Sequence, residues 1–215
     1  MQKNVYSIVL NEDVVEAVDH LAYREGTSRS NMINRILAEY LSLSTPEQQI
    51  RDIFSALHAV MEGQSILQPM LQSGDALFSV RSALRYKYNP SVRYAVEIYP
   101  HAGEELGELR VSLRTQNPNL LLYLGQFYKL WAKLEDGYLP GPRRVYESGG
   151  GRYIRVFRTP ENADAEQIGR AIADYIRLFD ACLKSFFDHL SDAEAAVVAV
   201  RGIYTGGLDM TTAQL

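Results

Sequence analysis

The stretch that decides the fold is short: Val5-Tyr6-Ser7-Ile8-Val9-Leu10, then an amphipathic run, then Gly26-Thr27-Ser28-Arg29-Ser30, then a second amphipathic run. Side chains on an extended strand alternate between faces, so Tyr6, Ile8 and Leu10 share one side and Val5, Ser7 and Val9 the other. Asn11 is placed to cap a helix whose first turn holds Glu12 and Asp13, where acids suit the helix dipole. Val14, Val15, Val18, Leu21 and Ala22 recur at helical spacing and make a narrow apolar stripe. Gly26 supplies the left-handed residue that commonly ends a helix, and Ser28 caps the next one. That second helix carries Ile33, Ile36, Leu37, Tyr40 and Leu41 on one side. One strand and two short helices cannot bury a core by themselves, so the segment is expected to need a second copy of itself.

The alternating strand ending in Leu10, Leu21-Ala22 before Gly26, and Ser28-Arg29-Ser30 followed by Met32-Ile33 together resemble a ribbon-helix-helix domain of the Arc/CopG/MetJ class. The resemblance covers roughly the first fifth of the chain. It implies an intertwined dimer whose paired strands enter the major groove of double-stranded DNA, a groove wide enough for a two-stranded ribbon. By position, the base-facing residues would be Val5, Ser7 and Val9, with Lys3 beside them. Ser28, Arg29, Ser30 and Asn31 would meet phosphates. The phosphate half also stands on elementary physics, because free N–H groups and the helix dipole at residues 28–31 form an anion site.

Two departures from the family pattern bear on affinity. Valine at positions 5 and 9 can touch a thymine methyl but reads no donor or acceptor, which leaves direct readout to Ser7 with Lys3 or Asn4. Asn11 stands where family members commonly have proline. The first 45 residues hold four basic groups (Lys3, Arg24, Arg29, Arg35) against six acids, so sequence-independent attraction to DNA is expected to be weak. A ribbon-helix-helix that only dimerises is the competing reading.

The rest of the chain reads as a second domain, residues 45–215 after 1–44. Thr45-Pro46-Glu47-Gln48 is a capping box with proline at the first helical position. Ile50, Ile53, Phe54, Leu57, Val60 and Met61 follow at helical spacing, a face that reads as core rather than membrane surface. Residues 76–115 switch to period two, which predicts an antiparallel meander with one buried face. Leu84, Tyr86 and Tyr88 alternate with Arg81, Arg85 and Lys87. Past the turn at Asn89-Pro90-Ser91, Val92, Tyr94, Val96 and Ile98 alternate with Arg93, Ala95 and Glu97. After residue 107, Leu109, Val111 and Leu113 alternate with Arg110, Ser112 and Arg114. The polar face thus gathers Arg81, Arg85, Lys87, Arg93, Arg110 and Arg114. Such a face can hold nucleic acid, an anionic ligand or an acidic partner. The plainer reading is solvated basic chains pairing with Glu97 and Glu108.

A helix over about 119–135, a hairpin over 143–158, a long helix over 164–190 and a shorter helix to about Gly202 complete the pattern. The expected class is α+β, an antiparallel sheet with helices packed on one face. Ser148-Gly149-Gly150-Gly151 has no helix after it and reads as a hairpin tip, not a phosphate loop.

Function classes narrow by elimination. His20, His58, His101 and His189 are scattered, and the single Cys182 allows neither an internal disulfide nor a thiolate metal cluster, so no metal or cofactor is expected. Asp75, Glu97 and Glu108 faintly resemble a nuclease's acidic centre, but Ile98-Tyr99 follows Glu97 where a Glu-x-Lys would be needed. No enzyme is expected. A net charge of −4, 47% hydrophobic residues and no long apolar run fit a cytoplasmic protein without a membrane segment. The expectation is a homodimeric, or higher even-numbered, bacterial-type transcription regulator, leaving open a small-molecule or protein effector on the C-terminal domain. The alternative is a protein-interaction factor, antitoxin-like or a plasmid or phage accessory protein.

Overall fold

The computed structural model describes residues 5–41, 43, 45–62, 67–69, 77–100, 103–139, 146–208 and 215. Lys3, Asp75, His101 and the start of the expected hairpin, Arg143-Arg144-Val145, lie outside the described residues. The chain divides into two compact units, Met1–Gln49 and Ile50–Leu215.

The first unit holds α1 (Glu12–Arg24) and α2 (Arg29–Tyr40). Asn11 sits at the N-cap of α1 but its side chain makes no capping bond. Gly26 takes the left-handed conformation (φ +62°) between the helices. Among the described residues the core here is Val18, Ala22 and Met32, with Leu21 and Ile33 against it.

The second unit begins within α3 (Pro46–Met61), at whose start Thr45 Oγ1 accepts from the Gln48 N–H at 3.1 Å. Its sheet has six strands: β1 (Leu67–Pro69), β2 (Leu77–Ala83), β3 (Ser91–Ile98), β4 (Glu105–Leu113), β5 (Tyr146–Gly149) and β6 (Arg152–Arg158). All neighbours pair antiparallel in the order β1-β2-β3-β4-β6-β5. The helices are α4 (Pro118–Tyr138), α5 (Ala165–Asp188) and α6 (Ala193–Gly207). Ring contacts tie α3, α4 and α5 to one face of the sheet: Phe54 on Phe78, Phe179 on Tyr94 and Tyr153, and Tyr128 on Tyr153. The period-two reading holds from Val92 to Leu113, where Val92, Tyr94, Val96, Leu109, Val111 and Leu113 are all buried.

Several elements differ from expectation, among them α6, which runs on to Gly207 past the expected end near Gly202. The alternation was extended too far along the first arm, since β2 stops at Ala83 and residues 84–90 form the connection to β3. Tyr88 and Asn89 both take positive φ (67° and 43°) there, a backbone turn that apolar alternation does not reveal. Helix α4 runs through Gly137 to Tyr138 instead of closing at Asp136-Gly137, because Leu139 is buried and Tyr138 lies against Tyr204. Strand β1, three residues at the sheet edge, carries too short a pattern to be read. The hairpin tip is as expected: Gly150 and Gly151 have φ of 55° and 78°, the two consecutive left-handed residues of a type I′ turn.

Two features of the core were not anticipated. Gly169 lets α5 approach α3 so closely that an added Cβ would stand 2.5 Å from the Ile53 carbonyl oxygen. Arg155, on the helix-facing side of β6, is fully buried beside an equally buried Glu135 from α4, with Nε 2.8 Å from Oε1. Tyr175 donates to the same carboxylate oxygen at 3.0 Å, Tyr153 to the other at 3.0 Å, and Trp131 donates to the Tyr175 hydroxyl at 2.9 Å. Arg155 Nη2 donates to the main-chain oxygen of Leu215 at 2.7 Å, and its guanidinium lies over the rings of Tyr175 and Phe157. Burial is the strongest influence on Arg155 and opposes its charge, but the Glu135 carboxylate together with Tyr175 and Tyr153 outweighs it and the pKa is raised. Burial, with Glu135 adding to it, likewise holds the Tyr153 and Tyr175 hydroxyls protonated, well above the usual tyrosine range.

Candidate nucleic-acid interface

Residues 5–10 make no hydrogen-bonded strand pair with any of the described residues. A strand needs a partner, and none of the described residues offers one. The two sides of this segment nevertheless differ: Val5 and Val9 are fully exposed, whereas exposure falls through Tyr6 (79%) and Ile8 (59%) to Leu10 (38%). The outward side is therefore the one holding Val5, Ser7 and Val9. Val14, Ile36, Leu37 and Leu41 of the same unit are exposed as well, more apolar side chains than the Val18, Ala22 and Met32 that are buried.

The second expected element is the start of α2. Ser28, Arg29, Ser30 and Asn31 are all exposed there. Ser28 is the N-cap, its Oγ accepting from the Asn31 N–H at 3.3 Å while its carbonyl accepts from Met32. Capping uses the Asn31 amide, so the remaining first-turn amides, those of Arg29 and Ser30, are the ones that face outward for an anion.

Arg29 departs from the expectation that it adds free positive charge. Its Nε and Nη2 donate to the two carboxylate oxygens of Asp19 on α1, at 2.6 and 2.5 Å. The hydrogen bond to Arg29 holds the Asp19 carboxyl below 3.8, and Asp19 in turn raises the Arg29 pKa. The other arginines are similarly occupied: Arg24 lies 3.6 Å from Glu25, and Arg35 lies 3.7 Å from Glu25 and 3.9 Å from Glu39. Every arginine of this unit thus has a carboxylate within 4 Å. The i,i+10 spacing of Asp19 and Arg29 crosses the α1–α2 joint, so only the packed pair of helices shows it.

Residues 7–44 match the model of the ribbon-helix-helix protein, copG family. The N-terminal unit is a ribbon-helix-helix domain. Proteins of that family are generally DNA-binding regulators and typically bind DNA as dimers. No curated protein and no solved structure matches the chain.

The six basic residues placed on the sheet do not form one face. Arg81, Arg93 and Arg110 do lie on the side of the sheet away from the helices, on β2, β3 and β4. Arg85 and Lys87 lie in the 84–90 connection, where Arg85 is 3.7 Å from Asp188 and Lys87 stands over the Tyr88 ring. Arg114 lies just beyond β4. Arg110 bridges Glu97 (2.9 Å) and Glu108, the pairing the plainer reading expected. Among the described residues no three histidine, cysteine or acidic side chains gather as a metal site, and no helix is long and apolar enough to cross a membrane.

Proposed function

We propose that the chain is a sequence-specific transcriptional regulator that binds DNA as a homodimer, with paired 5–10 segments in the major groove. The observation that supports this best is the segment itself: Val5 and Val9 wholly exposed, in a unit that buries three apolar side chains and leaves Val14, Ile36, Leu37 and Leu41 exposed. Pairing with a symmetry mate would cover Tyr6, Ile8 and Leu10 and leave Val5, Ser7 and Val9 facing the bases. Two-fold symmetry predicts a roughly palindromic operator. Ser7 carries the hydrogen-bonding part of readout, and the outward amides of Arg29 and Ser30 hold the backbone.

A second reading, an interaction factor that uses this domain only to dimerise, is favoured by one observation: all three described arginines of the domain are neutralised. Selection of bound fragments from genomic DNA at about 50 mM salt, where phosphate contacts are strong, separates the two. Enrichment of an inverted repeat, with Ser7→Ala altering the preferred bases, supports the regulator. A dimer by sedimentation that enriches nothing supports the interaction factor and refutes the regulator.

A further inference from the structure

The face of the sheet away from the helices carries a second charged feature, independent of the DNA-binding reading, beside the buried Ser79 and Ala95. In the strand register Arg81 is the direct partner of Arg93, Arg93 of Ser112, and Ser112 of Arg152. These four residues form one row across β2, β3, β4 and β6, all on the side away from the helices, because Val80, Tyr94, Val111 and Tyr153 beside them are buried in the core. Arg81 and Arg152 are exposed, and Arg93 and Ser112 half-buried. None of the three arginines has a carboxylate partner among the described residues, and the Arg93 Nε is shut off from solvent without a hydrogen bond. Like charges directly opposite one another on a sheet are unfavourable unless something neutralises them.

We propose that this row is a binding site for a compact, multiply charged phosphate ligand of the pyrophosphate or phosphate-ester class. Arginine forks match phosphate oxygens two at a time. With strands about 4.8 Å apart, the Arg93 and Arg152 backbones stand about 10 Å apart, a gap that two long side chains leaning over Ser112 can close on the adjoining phosphates of one ligand, with Arg81 beside Arg93. The rest of the same face argues for a small ligand over a nucleic acid. Glu97 and Glu108 are direct partners four residues along from the row, so an extended polyanion would lie over acids as well. Tyr99, just past β3, brings a ring to the face, but its hydroxyl is donated to Glu108 beside those acids, and Ile154 and Val156 occupy the β6 part of the face.

The test is calorimetric titration of the full chain with sodium pyrophosphate, beside inorganic phosphate and a random-sequence duplex. The expected result is one pyrophosphate per chain, bound more tightly than inorganic phosphate. Combining Arg81→Gln with Arg93→Gln should weaken it about tenfold or more and raise the melting temperature of the unliganded protein, since the repulsion is gone. Arg110→Gln, which removes an arginine already paired with acids, should leave pyrophosphate affinity within about twofold. Duplex binding should be the same in the row variant and the parent, so failure of the regulator reading would not touch this one. The proposal is overturned by the absence of pyrophosphate binding at millimolar concentration, by an equal loss in the Arg110 variant, or by a row variant that loses duplex affinity instead.

Discussion

Replacing Asp19 with asparagine should strengthen DNA binding without touching a DNA contact. In the folded domain both carboxylate oxygens of Asp19 hold Arg29, at the mouth of the α2 anion site. Asparagine keeps the shape but removes the charge, leaving the guanidinium free to turn to a phosphate. Each phosphate neutralised steepens the dependence of log affinity on log salt by about 0.9. Two freed arginines in a two-fold complex therefore add about 1.8 to the slope, so a fourfold rise from 50 to 200 mM salt costs the variant about twelvefold more affinity than the parent. The gain is correspondingly largest at low salt. Fluorescence anisotropy on one duplex across that salt range reads both quantities, and Asp19→Asn in an Arg29→Ala background should show no steepening. An unchanged slope in the single variant, or the same change without Arg29, would refute the argument that the ion pair withholds charge from DNA. Acid is not an equivalent switch. The Asp19 carboxyl is held below 3.8, so the pair's contribution to stability is complete above that value and disappears only as pH falls through the lower, folded one.

Other expectations concern the second unit. Gly169→Ala forces α5 off the α3 backbone at Ile53 and should cost about 1–3 kcal/mol, a drop of about 2–4 °C in melting temperature per kcal/mol; an unaltered melting temperature would count against the close approach. Glu135→Gln leaves Arg155 buried without its counter-charge and should cost about 3–5 kcal/mol by urea unfolding, whereas a loss under about 1 kcal/mol would mean the pair is not enclosed. Burial pushes the Cys182 thiol up to about 12, so a disulfide reagent at pH 8 should label it only after unfolding; rapid labelling of the native chain would contradict its placement against α6.

Legibility followed the range of the interactions. The α1–α2 joint, the buried face of β3 and β4 and the glycine hairpin tip rest on neighbours a few residues apart, and the pattern of Gly26, Val92 to Leu113 and Gly150-Gly151 is enough to place them. The 84–90 connection was missed because Leu84, Tyr86 and Tyr88 keep their apolar alternation after the backbone has turned. At the candidate interface, residue type and position located Ser28 to Asn31, but the role of Arg29 changed once Asp19 was seen across the helix joint. The arginine row is a matter of register: Arg81, Arg93 and Arg152 are far apart in the chain and meet only through strand pairing. Arg155 was the hardest of all, since a charged residue in an alternating strand reads as solvent-facing until its burial partners from α4 and α5 are in view.

The company Arg155 keeps has an evolutionary corollary. Glu135, Tyr153, Tyr175 and Trp131 each make sense only while the others are present, so losing any one strands a polar group that water cannot reach. Exchange of the whole set for hydrocarbon at once could leave the fold as stable as before. Single-step descent through such a cluster is blocked where a concerted change is not, and lineages of this chain should therefore keep all of these positions or none.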